Sequence, residues 1–84
     1  MKIAYYPSFL RQLKKLPFDL QEEVFEKIEV FEENHTHTSL KTHKLKGKMN
    51  YLYAFSVNYS YRIIFEIDGG EALFLEIGTH DLYK

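Results

Sequence analysis

The chain has 84 residues, of which 45% are hydrophobic and 27% charged, with no cysteine and a formal net charge of -1. That length holds a single small domain, residues 1–84, whose core buries about 60–65% of the surface exposed on unfolding. Seven Phe and seven Tyr with little net charge exclude a disordered chain, and the lack of cysteine excludes disulfides and thiolate metal sites. No apolar run is long enough to span a bilayer and Met1-Lys2-Ile3-Ala4-Tyr5 does not read as a signal peptide, so a cytoplasmic protein without a membrane partner is expected.

Lys2 to Tyr6 reads as a short strand that Pro7 closes, because proline cannot donate to a ladder. Ser8 is the expected N-cap of a short helix with Phe9, Leu10, Leu13 and Leu16 on one side and Arg11, Lys14 and Lys15 on the other. Pro17 ends it. Asp19 and Glu22 have capping-box spacing at the start of a second helix. Its apolar stripe is Leu20, Val24, Ile28 and Phe31, widened by Phe25, and six glutamates with Lys27 cover its solvent side. The short link makes the two helices an antiparallel hairpin.

Residues 34–50 form a long polar connection, with Leu45 as its anchor and Gly47 as a turn. Three alternating strands follow, at residues 51–57, 61–67 and 72–77. The last two are joined by Asp68-Gly69-Gly70, a strong signal for a tight hairpin. The expected fold is α+β, in the order β-α-α-β-β-β, with the helical hairpin packed on one face of an antiparallel sheet and the other face partly open.

The net charge conceals an asymmetry. Residues 1–33 sum to -2 and residues 66–84 to -4, while residues 34–65 carry Lys41, Lys44, Lys46, Lys48 and Arg62, no acid, and a charge of +5. A block of this kind fits either an anionic partner or a solvated basic loop. By alternation Arg62 lies opposite Tyr61, Ile63 and Phe65 and points to the open face. There its planar fork suits a phosphate, or pairs across the sheet with Glu66 or Glu76. His80 follows Gly78-Thr79, where Gly78 is expected to bend the chain, and it is either an acid–base group or a surface residue. Tyr83 offers a hydroxyl or a stacking ring. An inward arginine, a basic loop, a histidine and a tyrosine together match the needs of metal-free RNA cleavage. A base takes the ribose 2′-OH proton, cations hold the phosphate, and an acid protonates the leaving 5′-oxygen. His35, His37 and His43 carry little weight as a metal set because no carboxylate accompanies them in their segment, so no metal or other cofactor is expected.

These residues suggest a family. Phe9-Leu-Arg-Gln-Leu-Lys-Lys-Leu-Pro17, His43-Lys-Leu-Lys-Gly47, Tyr61-Arg-Ile-Ile-Phe65 and Ile77-Gly-Thr-His-Asp-Leu-Tyr83, in this order over nearly the whole chain, resemble the RelE/ParE superfamily of type II toxin–antitoxin toxins. The Gly-Thr-His ending looks most like the YafQ branch. The resemblance implies an endoribonuclease that cuts mRNA on the ribosome without metal and is silenced by a cognate antitoxin. It implies that Arg62 holds the phosphate, that His80 and His43 match the branch's histidines, that Tyr83 is the C-terminal aromatic, and that Lys44, Lys46 and Lys48 touch RNA. The chain departs from RelE-type toxins at Ala54 and Ser56, where those carry lysines, and Ser60 stands where YafQ-like toxins have an acid. The alternatives are a ParE-like inhibitor of DNA gyrase, and a degenerate toxin that only binds its antitoxin or RNA.

Overall fold

The computed structural model describes residues 1–79 and residue 81. Strand β1 (Lys2–Tyr5) leads into helices α1 (Pro7–Lys14) and α2 (Phe18–Glu33), followed by strands β2 (His43–Lys44), β3 (Leu52–Ser56), β4 (Tyr61–Asp68) and β5 (Glu71–Thr79). The five strands form one sheet in the order β1-β5-β4-β3-β2. The α+β class and the order of the expected elements hold, with two corrections to the sheet. It is mixed, because β1 runs parallel to β5, and the polar connection contributes an additional edge strand, β2.

Prolines, not polar side chains, start both helices. Pro7 occupies the first turn of α1 after Tyr6, where its fixed φ suits the helix and its missing N–H is one the helix leaves unpaired. Ser8 is therefore not the cap. Pro17 precedes Phe18, the first residue of α2, and no side chain caps that end. The capping box of Asp19 and Glu22 does not form, and Asp19 instead lies in the first turn, where its charge favours the helix dipole.

Phe31 is the hub of the core. Its ring lies 5.1–5.2 Å from those of Phe55, Phe65 and Phe74, and Phe9 reaches Phe74 at 5.7 Å. Val24 and Ile28 complete the buried helical stripe. Leu10 and Phe25 were expected within it but sit at its margins, 42% and 49% exposed. The opposite face of the sheet is less open than its alternation implied. Leu45, Leu52, Ala54 and Ile64 form a second buried cluster there, joined by Met49 and Leu75. The Gly47–Met49 turn brings this cover over the sheet. The connection has a second anchor, Leu40, fully buried in the main core. At the predicted tight hairpin, Gly69 and Gly70 both have positive φ, 59° and 83°, as a two-residue turn matched to strand twist requires.

The bond pattern of β5 explains why α1 lies where it does. Ile64 pairs with Glu76 but Phe65 pairs with Phe74, so Leu75 is an extra residue in a bulge. Beyond Phe74, whose carbonyl receives the Tyr6 N–H at 3.0 Å, β1 no longer covers this edge. One turn of α1 takes over. The Ser8 hydroxyl donates to the Leu75 carbonyl at 2.6 Å, and Gln12 Oε1 accepts the Ile77 N–H at 2.8 Å. Side chains four apart share a helix face, so one helix supplies both partners. Gln12→Ala strands a part-buried backbone donor and is expected to lower stability by about 1–3 kcal/mol, read as a shift of the urea midpoint. An unchanged midpoint would show that water replaces the amide.

Candidate functional site

The β3–β4 turn sets the site. Asn58 Oδ1 accepts the N–H groups of Ser60 at 2.9 Å and Tyr61 at 2.8 Å, the bonding an asparagine offers at a turn. Its Nδ2 donates to Glu23 of α2 at 3.0 Å, which ties the turn to the helical layer. Arg62, the second residue of β4, is half-buried. Its Nη1 donates to the carbonyls of Asn58 at 2.8 Å and of Tyr59 and Tyr61 at 3.1 Å. Neither Glu66 nor Glu76 pairs with it, and Glu76 instead accepts from Gln12 at 3.3 Å. The guanidinium is thus held on one side by neutral acceptors, which orient it without cancelling its charge. Arg62 also does not simply point into an open sheet face. It hooks toward the turn and lines a cavity of about 330 Å³ together with Lys27, Ser39, Lys41, Asn58 and Tyr59.

Two of those cations escaped the sequence reading as site residues. Lys27 is the single basic residue of α2, and its isolation among glutamates was the available signal. Lys41 has a positive φ of 50°, rare for a residue other than glycine, and it closes the 3-10 turn Thr38–Leu40 by donating its N–H to the Thr38 carbonyl at 3.2 Å. His37 caps that turn, with Nδ1 accepting the Ser39 N–H at 3.1 Å.

The other predicted residues are dispersed. His43 pairs with Ala54 and Arg62 with Ser56, so both belong to one sheet face with β3 between them, two strand spacings across and two residues along, or about 12 Å apart. His43 Nδ1 lies 3.2 Å from the Lys41 carbonyl. A carbonyl only accepts, so Nδ1 donates in this contact. Lys44 pairs with Tyr53 and belongs to the opposite face. Lys44 and Lys46 both line a separate cavity with His43, Leu45 and Met49, and Lys48 lies exposed in the Gly47–Met49 turn. These three lysines do not line the Arg62 cavity. Gly78 makes no bend, since it stays in β5 opposite Arg62 and the strand continues to Thr79 opposite Tyr61. The expected His80 and Tyr83 lie outside the described residues. Among the described residues, no three His, Asp or Glu side chains gather so as to hold a metal, and no helix is long and apolar enough to cross a membrane.

Ala54 and Ser56, the places where the resemblance calls for lysine, are buried at 0% and 8% exposure. The cations near Arg62 come instead from α2 and from the connection.

No family model matches the sequence, and no curated protein matches it. Solved structures do. YafQ from E. coli superposes with a TM-score of 0.78 at 15% identity, over 95% of this chain and 93% of that one. A YoeB/ParE toxin from Agrobacterium tumefaciens gives 0.78 at 15% identity, over 95% and 99%. The E. coli DinJ–YafQ toxin–antitoxin complex gives 0.78 at 17% identity, over 99% and 97%. The chain therefore has the fold of the YafQ and YoeB toxins, as the resemblance in its sequence implied.

Proposed function

We propose that a chain with this fold and this cation cluster is the toxin of a type II toxin–antitoxin pair, an endoribonuclease that cuts mRNA on the ribosome without metal. The observation that carries the reading is Arg62, held by three turn carbonyls in a cavity that Lys27 and Lys41 also line. Nη1 is occupied, while Nε and Nη2 remain to grip two oxygens of a phosphodiester. Lys27 and Lys41 add positive charge where the pentacovalent phosphate gains negative charge, and charge that develops only in the transition state is what a fixed cation cluster stabilises most. His43 shares the sheet face of Arg62 and is the candidate base for the ribose 2′-OH. The resemblance assigns protonation of the 5′-oxygen to His80 and base stacking to Tyr83. Lys44, Lys46 and Lys48, apart from the cavity, contribute charge that draws RNA or the ribosome to the molecule.

An antitoxin partner follows from the same reading. It is supported by an apolar groove of about 290 Å³ bounded by Tyr5, Leu10, Leu13 and Phe25, a surface suited to a segment that folds on binding.

Induced expression in a bacterial host tests the whole reading. Growth is expected to stop, and primer extension is expected to find in-frame cuts within translated messages. Arrest with intact messages and double-strand DNA breaks would replace the nuclease by a gyrase poison. Absence of arrest, together with tight binding to the product of the adjacent reading frame, would leave only a binding module.

A further inference from the structure

We infer that the slot between residues 35–42 and the sheet is a subsite for an unpaired nucleobase, adjoining the phosphate site at Arg62. This deepens the RNA reading above and rests on it. The slot has a volume of about 470 Å³, with Tyr53, Phe65 and Ile67 on the sheet side and Thr36, Thr38 and Thr42 among the residues opposite. That size lies within the range of small-ligand pockets, and an apolar floor facing a few polar groups is their usual chemistry. Tyr53, half-exposed, is stacked on the buried Phe65 with ring centroids 5.5 Å apart and planes within 22° of parallel, which holds the Tyr53 ring in place as the surface on which a base can stack. The Thr36 hydroxyl donates to Asn34 Oδ1 at 2.8 Å and keeps an acceptor lone pair, and the Thr38 and Thr42 hydroxyls beside it suit the polar edge of a heterocycle.

Lys41 links the two sites, since it lines both the slot and the Arg62 cavity. Its αL backbone, φ 50°, directly follows Leu40, whose full burial anchors this corner in the core. No carboxylate lines either cavity among the described residues, so the pair is complementary to a nucleotide, with its phosphate at Arg62, its base in the slot and Lys41 between them. The chain's acid-free block, residues 34–65, contains most of the lining of both.

The test is an amide NMR titration of the intact chain with adenosine, inorganic phosphate and adenosine 5′-monophosphate. Adenosine is expected to shift Thr36, Thr38, Tyr53 and Ile67, phosphate the turn from Asn58 to Arg62, and the nucleotide both sets, binding about tenfold more tightly than either half. Ile67→Trp fills the slot at a partly exposed position and is expected to weaken adenosine about tenfold or more while leaving the phosphate response intact. Thr36→Trp, at an exposed loop position, serves if that variant misfolds. Absence of an adenosine response in the slot at about 10 mM overturns the inference, as does an equal response to phenol, which would make the slot an unspecific apolar hole. A phosphate response without an adenosine response overturns the base subsite alone. An adenosine response without a phosphate response supports the slot and counts against Arg62 as the phosphate ligand.

Discussion

Arg62→Ala is expected to abolish growth arrest and the in-frame cuts, with purified cleavage activity reduced about 100- to 1000-fold, the usual effect of losing one preorganised charge-stabilising donor. The fold should survive. Three turn carbonyls lose their donor, but Asn58 still knits the turn and Tyr59 is 94% exposed, so water reaches this corner. The cost to stability is about 1 kcal/mol, read as a small shift of the denaturation midpoint. Arg62→Lys keeps the charge and loses the fork, and should fall between wild type and alanine because a point charge cannot both hook the turn and bind two oxygens. Lys27→Ala and Lys41→Ala are expected to cost less, about three- to tenfold each, with the loss shrinking as salt is raised, since both cations are partly screened by solvent. Arrest that survives Arg62→Ala together with His80→Ala would remove the nuclease assignment.

The sequence carried those features that short-range chemistry decides. The helix stripes, the alternation of the three long strands and the Gly69-Gly70 turn all follow from residue spacing and backbone freedom within a dozen positions. Features decided by distant partners were missed. Ser8 looked like a helix cap because a serine after a strand usually is one. Its hydroxyl instead serves Leu75, 67 residues away, at a bulge that no local pattern announces. The parallel pairing of β1 with β5 is of the same kind. At the site, Arg62 was legible because an arginine within an apolar strand needs a reason. Lys41 and Lys27 were not, because one lies in a polar loop and the other on a solvated helix, and only the fold places both beside Asn58. Lys44, Lys46 and Lys48 show the converse, that nearness in sequence does not place a cation at Arg62. They are neighbours in sequence, but Lys44 and Lys46 line a cavity of their own with His43 and Lys48 lies exposed in the turn after β2, so none of the three lines the Arg62 cavity.

The departure at Ala54 leads to the second strong expectation. If the toxins that this chain resembles use a strand lysine at that place, restoring it suggests a simple gain of function. Ala54 is fully buried, however, in the cluster of Leu45, Leu52 and Ile64, with His43 paired on one side and Ile64 on the other. A lysine there must either bury an unpaired ammonium or displace the cover formed by Leu45 and Met49. Either route is expected to cost about 3–5 kcal/mol. Domains of this size have about 4–13 kcal/mol in total, so Ala54→Lys should unfold or nearly so, losing its cooperative urea transition or shifting it far downward. Ser56→Lys would instead enter the Arg62 cavity that Ser56 lines, and sets a like charge directly opposite Arg62, which disfavours it. Ala54→Ser, small and able to bond locally, should remain folded and separate burial from mere substitution. An Ala54→Lys protein with an unchanged midpoint would show that the second cluster is not packed and that the strand face is open to basic residues. Failure to fold would instead mean that this chain cannot place a cation at position 54 of β3, which leaves Lys27 and Lys41 as the residues that give Arg62 its charged surroundings.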